Sequence, residues 1–291
     1  MSANSPETTV ELKVDAAVLT TSAQPQFVYV PVQLNSATTA TTTSINAANN
    51  GVGVLNSASY DYAGVISPGS LVSIFGANMA DSPPVTASTL PLQTQEANAR
   101  VLLDGQPVPL LYASGIQINA QIPFTINGDM THSLSVMHGQ SSSSQPQTVT
   151  VAAVAPAIYT TNAQGFGQAA VIGVAADGAG FLADMNHPVA VGEAIEIFCS
   201  GLGTVTPAVA AGVPAPASPL SRLTRSNLVV TINNVQANVL FAGLAPGFAG
   251  LYQVNAVIPE GVKGGDAVPI VISLAGVPSQ PLVTIAVQQT Q

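Results

Sequence analysis

The sequence predicts an all-β protein: two tandem β-sandwich domains, preceded by an N-terminal β-strand segment. The second half repeats the first, since residues 117–123 (QINAQIP) return as residues 253–259 (QVNAVIP). Short apolar runs alternate with turn signals at the spacing of a sandwich. No stretch has a convincing amphipathic-helix periodicity. Together these observations favour the duplication of one β module.

The duplication sets the predicted domain bounds. Three further segment pairs match in the same order: 68–76 with 191–199, 101–111 with 229–239, and 148–151 with 283–286. The offset between copies drifts along the chain, which indicates insertions in loops. We therefore predict domains at residues 51–155 and 156–291, each long enough to bury its own core.

Two polar residues recur at matched positions. Gln117 and Asn119 return as Gln253 and Asn255. They alternate with apolar residues, so we interpret them as sheet-surface or inter-strand hydrogen-bonding groups. Neither copy keeps a charged or catalytic residue at matched positions, which favours a scaffold.

In the first domain, strands are predicted at residues 70–75, 100–103, 108–112, 115–122, 133–137 and 147–151. Asp104-Gly105 is a strong signal for a tight hairpin. Within residues 115–122 every second residue is apolar, so we expect Ile116, Ile118, Ala120 and Ile122 to lie on one face of the strand.

In the second domain, strands are predicted at residues 194–198, 228–232, 239–241, 250–258, 268–273 and 282–287. Asn233-Asn234 marks the turn that follows the second of these strands. The two series have the same order of strands and turns, as a duplication requires.

Residues 1–50 differ from the rest of the chain. Val10, Leu12 and Val14 alternate with polar residues, and residues 26–34 give a stronger strand signal before a Thr-rich linker. Two strands cannot form a core alone. We expect them to pair either with the first domain or with a neighbouring molecule.

The charge content excludes several partners. Only 7% of residues are charged, against roughly 25% in an average soluble protein. The five Lys and Arg residues are scattered, so we expect no nucleic-acid binding. No apolar stretch reaches the roughly 18 residues of a membrane helix, so we expect no membrane insertion. The neutral, hydroxyl- and amide-rich composition favours an extracellular or cell-surface location, although no signal peptide is recognised in this chain.

The residues that could carry chemistry are few. Cys199 has a strand-like position and is interpreted as a small buried hydrophobe. His132 and His138 flank a predicted strand and are interpreted as exposed loop histidines. Asp177 and Asp184 bracket a loop that we interpret as a plain hairpin, with calcium binding as the alternative. The zinc and hydrolase motifs are missing. We therefore expect no catalytic, cofactor or metal residue, and no cofactor.

Several motifs together resemble a known family. They include GVLNSASY at residues 53–60, ISPGSLVSIFG at 66–76, the two QxNAxIP segments, and LAPGFAGLYQVN at 244–255. In this order they resemble the C-terminal domain of a paralogous family of exported Acidobacteria proteins, the "Solibacter" family. The resemblance implies tandem immunoglobulin-like modules, similar to IPT/TIG domains, and no established activity.

These expectations lead to a functional hypothesis. We expect a non-enzymatic extracellular structural protein that self-associates into a homo-oligomer or filament. Its residues 8–34 would make the subunit contacts, by adding a strand to a neighbour. The alternative is an adhesion or polysaccharide-binding module with a surface glycan as partner. The chain has no Trp, which weakens the glycan alternative because such sites usually need a platform of aromatic rings.

Overall fold

The computed structural model describes residues 53–61, 64–140, 142–175 and 178–289. The predictions for residues 1–50 and for Asp177 lie outside the described residues. The described part of the chain consists of strands and turns, without a helix and therefore without a helix able to cross a membrane. The all-β prediction is confirmed.

The described residues of the first half form eleven strands: β1 Gly53–Asn56, β2 Val65–Ile66, β3 Leu71–Phe75, β4 Val85–Thr86, β5 Ala99–Leu103, β6 Gln106–Pro107, β7 Leu110–Ala113, β8 Gln117–Gln121, β9 Met130–His138, β10 Ser142–Ser143 and β11 Gln147–Val151. They form two sheets, in the orders β1-β3-β8-β7-β4 and β2-β11-β9-β5-β6, with β10 beside β9. Ile74 and Ile118 of one sheet share a buried core with Leu134 and Val151 of the other.

In the second half, the part of the chain that the structure describes forms thirteen strands: β12 Ala157–Ile158, β13 Gly167–Gln168, β14 Val171–Val174, β15 Gly180–Leu182, β16 Ala194–Ser200, β17 Val205–Thr206, β18 Arg222–Leu223, β19 Leu228–Ile232, β20 Val235–Leu244, β21 Tyr252–Val257, β22 Gly265–Leu274, β23 Val277–Pro278 and β24 Val283–Val287. Their main order is β13-β24-β22-β19-β20-β21-β16-β14-β15. A second core contains Ile197, Val254, Ile272 and Ile285.

The strand pairings of the first half recur in the second. The series β2-β11-β9-β5 corresponds to β13-β24-β22-β19, and β3-β8-β7 corresponds to β16-β21-β20. Even the parallel pairs match, since β2–β11 and β13–β24 are both parallel while the other strand pairs are antiparallel. The register is preserved as well: Ser73 lies opposite Asn119, and Glu196 lies opposite Asn255.

Strand β20 explains why the strands of the second half form one connected sheet. Residues 235–237 of β20 pair with β19, and residues 238–244 pair with β21. In the first half these two roles belong to the separate strands β6 and β7. Pro109 lies between them and has no N–H to donate to a ladder. Residues 235–244 contain no proline, so a single strand runs from one sheet into the other.

The two predicted hairpin turns form as expected. Asp104 and Gly105 have φ angles of 50° and 78°, and Asn233 and Asn234 have φ angles of 51° and 63°. Positive φ at both central residues is the backbone geometry of the tight turn that matches strand twist. The Asn and Asp side chains tolerate this region better than most residues do.

The predicted orientation of Ile116 is wrong. Its side chain is 68% exposed, and β8 begins one residue later, at Gln117. The Ser114 hydroxyl accepts hydrogen bonds from the backbone N–H groups of Ile116 and Gln117, at 3.3 and 3.0 Å. This serine turn holds Ile116 outside the ladder, so the alternating pattern starts only after it.

Candidate functional site

Cys199 lies in the core of the second half and is fully buried in β16. Its prediction as a small buried hydrophobe is confirmed. Burial raises the pKa of the thiol well above its ordinary range, because the thiolate would lose its hydration. The nucleophilic form is therefore suppressed.

The interpretation of His132 as an exposed loop residue is wrong. His132 lies within β9 and is only 9% exposed. Its Nδ1 is 2.6 Å from Asp104 Oδ2, and its Nε2 is 2.8 Å from the carbonyl oxygen of Asn127. Both ring nitrogens face oxygen acceptors, which favours the imidazolium form. Burial lowers the pKa of His132, but these hydrogen bonds outweigh it and leave the pKa above its ordinary value.

His138 also belongs to β9 rather than to a loop. Its Nε2 is 2.7 Å from Asp81 Oδ1, and its Nδ1 is 3.0 Å from the carbonyl oxygen of Asn78. Both histidines therefore connect one long strand to turns of its own half. Such a pair fixes loops to a sheet and presents no reactive nitrogen to a cleft.

The side chain of Asp184 stabilises a turn. Its Oδ1 accepts hydrogen bonds from the backbone N–H groups of Asn186 and His187, both at 2.8 Å. Across the described residues, no three His, Cys, Asp or Glu side chains come close enough together to hold a metal ion. The calcium alternative for this loop also required Asp177, which lies outside the described residues.

The two halves meet at a joint that contains buried hydrogen bonds. Gln121 is fully buried at the end of β8, and its Oε1 accepts a hydrogen bond from Gly212 N at 2.7 Å. Leu92 N donates to the carbonyl oxygen of Gly212 at 2.8 Å. Leu71 N donates to Ser200 Oγ at 3.2 Å. These hydrogen bonds fix the orientation of the two halves. If the halves moved apart, the buried polar groups would lose their partners.

Tyr252 strengthens the joint from the second half. Its fully buried hydroxyl lies within hydrogen-bond distance of the carbonyl oxygens of Gly203 and of Pro68, the latter at 3.2 Å. The single hydroxyl proton is donated to one of these carbonyls at a time. Pro68 belongs to the first half, so Tyr252, which directly precedes the repeated Gln253, binds the opposite half.

Apolar packing completes the joint. Ala87, Leu92 and Leu111 of the first half form one buried cluster with Ala249 of the second. Gly250 follows with a φ of 73°, and a Cβ there would lie 2.8 Å from Cδ2 of Leu71 and 2.7 Å from Nε2 of Gln121. Only glycine allows this close approach. The joint therefore combines a buried apolar cluster with a close approach at Gly250.

A groove of about 660 Å³ lies on the second half, between residues 222–228 and residues 236–242. Arg222 and Arg225 line it, and its lining contains no carboxylate among the described residues. The guanidinium carbon of Arg222 lies 5.0 Å from the ring centroid of Phe241, close enough for a cation–π contact. The groove is therefore a cationic patch on a chain whose net charge is −9.

Sequence reasoning described the five cationic residues as scattered and so missed this groove. Arg222 lies in β18 and Arg225 three residues later, in the segment before β19. Two of the five lie within four positions of each other, and this spacing was the available signal. What the sequence could not show is that β20 passes beside this segment.

Comparison with known proteins does not assign a family. No family model matches the chain, and no curated protein does. Among solved structures, it is similar to gamma-CGTase from alkalophilic Bacillus clarkii, with 16% identity over 76% of this chain and 23% of that one, and a TM-score of 0.26. It is also similar to the tandem Ig repeats of Dlar, with 13% identity over 78% of this chain and 93% of that one, and a TM-score of 0.20. The chain spans less than a quarter of the length of the first of these structures. At these TM-scores neither similarity carries an argument about function.

Proposed function

We propose that this chain is a non-enzymatic extracellular structural protein, a self-assembling surface or filament subunit whose residues 8–34 make the subunit contacts. The observation that carries the proposal is the joint. A filament formed by head-to-tail contacts needs one fixed rotation between successive interfaces. The buried hydrogen bond from Gly212 N to Gln121 and the close approach at Gly250 supply that fixed geometry within one subunit.

The domain assignment belongs to the same proposal. We take residues 51–155 and 156–291 as two tandem immunoglobulin-like domains of the Acidobacteria "Solibacter" type. The support is the recurrence of strand pairings, including the matched parallel pairs. Two sheets of the first half also enclose one core, as sheets of a sandwich do.

The composition supports the self-assembling part of the proposal. With 7% charged residues, few charges need to lose their hydration when subunits pack against one another. The polar surface is supplied by hydroxyl and amide side chains, whose loss of hydration costs less than that of a charge. This surface suits lasting contact between copies.

Negative-stain electron microscopy and light scattering of the purified chain test the proposal. The full chain is expected to form polymers, and a variant that lacks residues 1–50 is expected to stay monomeric. Unchanged thermal unfolding of the truncated variant shows that its described halves still fold.

A point-substitution series sharpens this experiment. Serine in place of Val10, Leu12 and Val14 removes the apolar face of the first predicted strand and is expected to abolish polymers. The matched control places serine at Thr41, Thr42 and Thr43 in the linker and is expected to polymerise normally. If neither the truncation nor the apolar substitutions change the oligomeric state, the proposal is refuted.

A further inference from the structure

The edge of β20 beside the groove is open. Residues 238–244 of β20 pair on one side with β21. On the other side the described residues pair with residues 235–237 through β19, with Gly243 through Arg222, and with Leu244 through a backbone hydrogen bond to Ser221. About five residues, 238–242, therefore present an edge without a ladder partner, and an extended segment can add to such an edge through backbone hydrogen bonds.

The side chains around this edge define what it fits. Arg222 and Arg225 supply two positive charges, and no carboxylate of the described residues forms an ion pair with either. Leu240 is 52% exposed and points away from the core, which gives the groove an apolar contact. The matching ligand is an extended, acidic segment with alternating apolar residues.

The chain itself contains such a segment outside the described residues. Residues 10–15 read VELKVD, with apolar residues at every second position and Glu11, Lys13 and Asp15 between them. With Glu7, the stretch from residue 7 to residue 15 has three carboxylates and one ammonium, a net charge of −2. This balances the two arginines. Six extended residues span about 20 Å, slightly more than the five-residue edge.

The second predicted N-terminal strand is a poorer match. Residues 26–34 carry no charged side chain. Pro31 also interrupts their row of N–H donors. Charge complementarity therefore selects residues 10–15 from the two segments.

From this we infer that the groove beside β20 receives residues 10–15 of a neighbouring copy as an added strand, with Arg222 and Arg225 facing Glu11 and Asp15. The inference rests on the proposed function and names its receiving surface. Each subunit then has one donating segment and one receiving groove, which gives an open head-to-tail chain.

Charge reversal in the full chain tests the inference. The groove-reversed variant carries Arg222→Glu and Arg225→Glu, and the donor-reversed variant carries Glu11→Arg and Asp15→Arg. Each is expected to lose polymers in negative-stain images, while the variant with all four changes regains them. The matched control, Arg100→Glu with Lys263→Glu, makes the same change in net charge outside the groove and is expected to polymerise. Polymerisation of the groove-reversed variant at the wild-type level overturns the inference.

A peptide titration separates this inference from the proposed function. A labelled peptide of residues 5–18 is titrated onto the donor-reversed full chain, whose own segment no longer competes. We expect saturable binding that weakens at least tenfold when Arg222→Glu and Arg225→Glu are added. If these changes leave the affinity for the peptide unchanged, the inference is overturned, whether or not polymers form. If binding follows the groove and the wild-type chain forms no polymers, the groove inference stands and the filament proposal fails.

The same titration tests a polysaccharide as the alternative occupant. Polygalacturonate, an acidic polysaccharide, is added to the complex of peptide and donor-reversed chain. We expect the peptide to stay bound at equal concentrations by weight. Displacement by the polysaccharide at these concentrations identifies a glycan groove and overturns the inference.

Discussion

Gln253 Nε2 donates a hydrogen bond to Asn255 Oδ1 at 2.8 Å, two residues along the same face of β21. The first half repeats this bond, since Gln117 Nε2 donates to Asn119 Oδ1 at 2.9 Å in β8. The repeated polar residues are therefore paired with each other along one strand. The duplication preserved a side-chain bond as well as an apolar pattern.

The strand opposite this pair differs between the halves. Asn119 faces Ser73, and Asn255 faces Glu196. Burial raises the pKa of Glu196, and hydrogen bonds from Gln253 and Asn255 only partly offset this effect. The second half thus places an ionisable side chain where the first half has a neutral one.

Glu196→Gln is expected to stabilise the protein at neutral pH. The folded state binds the Glu196 proton more tightly than the unfolded state does. The stability that protonated Glu196 contributes is therefore complete below the ordinary pKa of about 4.5, and it is lost as pH rises through the pKa of the folded state. The gain is a fraction of the roughly 1.4 kcal/mol of one pKa unit, because solvent screens a partly accessible carboxylate. Melting temperatures at pH 7.5 and pH 3.5 check this, with exposed Glu260→Gln as control. An equal shift at both pH values would contradict it.

Gly250→Ala is expected to weaken the joint between the halves. Alanine at a positive φ costs about 1–2 kcal/mol wherever it occurs. At Gly250 the new methyl group also meets Leu71 and Gln121, which adds an overpacking cost of about 1–3 kcal/mol. The matched control is Gly261→Ala, because Gly261 has a φ of 84° and open space around it. Urea unfolding measures both variants, and equal costs would show that the joint tolerates the methyl group.

Several strands were predicted at their observed bounds because their signals are local. The predicted strand at residues 228–232 coincides with β19, and that at residues 147–151 coincides with β11. Turn chemistry is equally local, since Asp104-Gly105 requires no distant partner to adopt its geometry. Ile116 shows the limit, because the Ser114 hydroxyl binds its backbone N–H and the alternating strand begins only after it.

The joint and the groove could not be predicted in this way. Gln121 is the polar residue where the second copy has Val257, and only the fold brings it to Gly212. His132 was misjudged for the same reason, since its partner Asp104 lies 28 positions away in sequence. Contacts between residues distant in sequence determine these sites, and alternation patterns carry no signal for them.

The His132–Asp104 pair is expected to stabilise the fold in a defined pH window. The pKa of His132 is raised, so its contribution is complete below about 6.5 and is lost as pH rises through the folded-state value. The hydrogen bond from His132 lowers the pKa of Asp104. The stability that ionised Asp104 contributes is therefore lost as pH falls below about 3.8. His132→Gln should therefore reduce the melting temperature more at pH 5.5 than at pH 9. His187→Gln, at a side chain that is 69% exposed, is the control and should change neither value. If His132→Gln lowers the melting temperature equally at both pH values, His132 stabilises the fold by packing alone.

Cys199 is expected to be inert until the second half unfolds. The thiol is fully buried and its pKa is raised, so reagent access and thiolate formation both require opening of the core. Native protein at pH 8 should therefore react with a disulfide reagent no faster than it unfolds, and protein in 6 M guanidinium chloride should react at once. Because Cys199 is the chain's one cysteine, the labelling rate reports opening of this core alone. Gly250→Ala should accelerate labelling if the joint and the core open together. Rapid labelling of the native wild type would place the thiol at an accessible surface and contradict its position in β16.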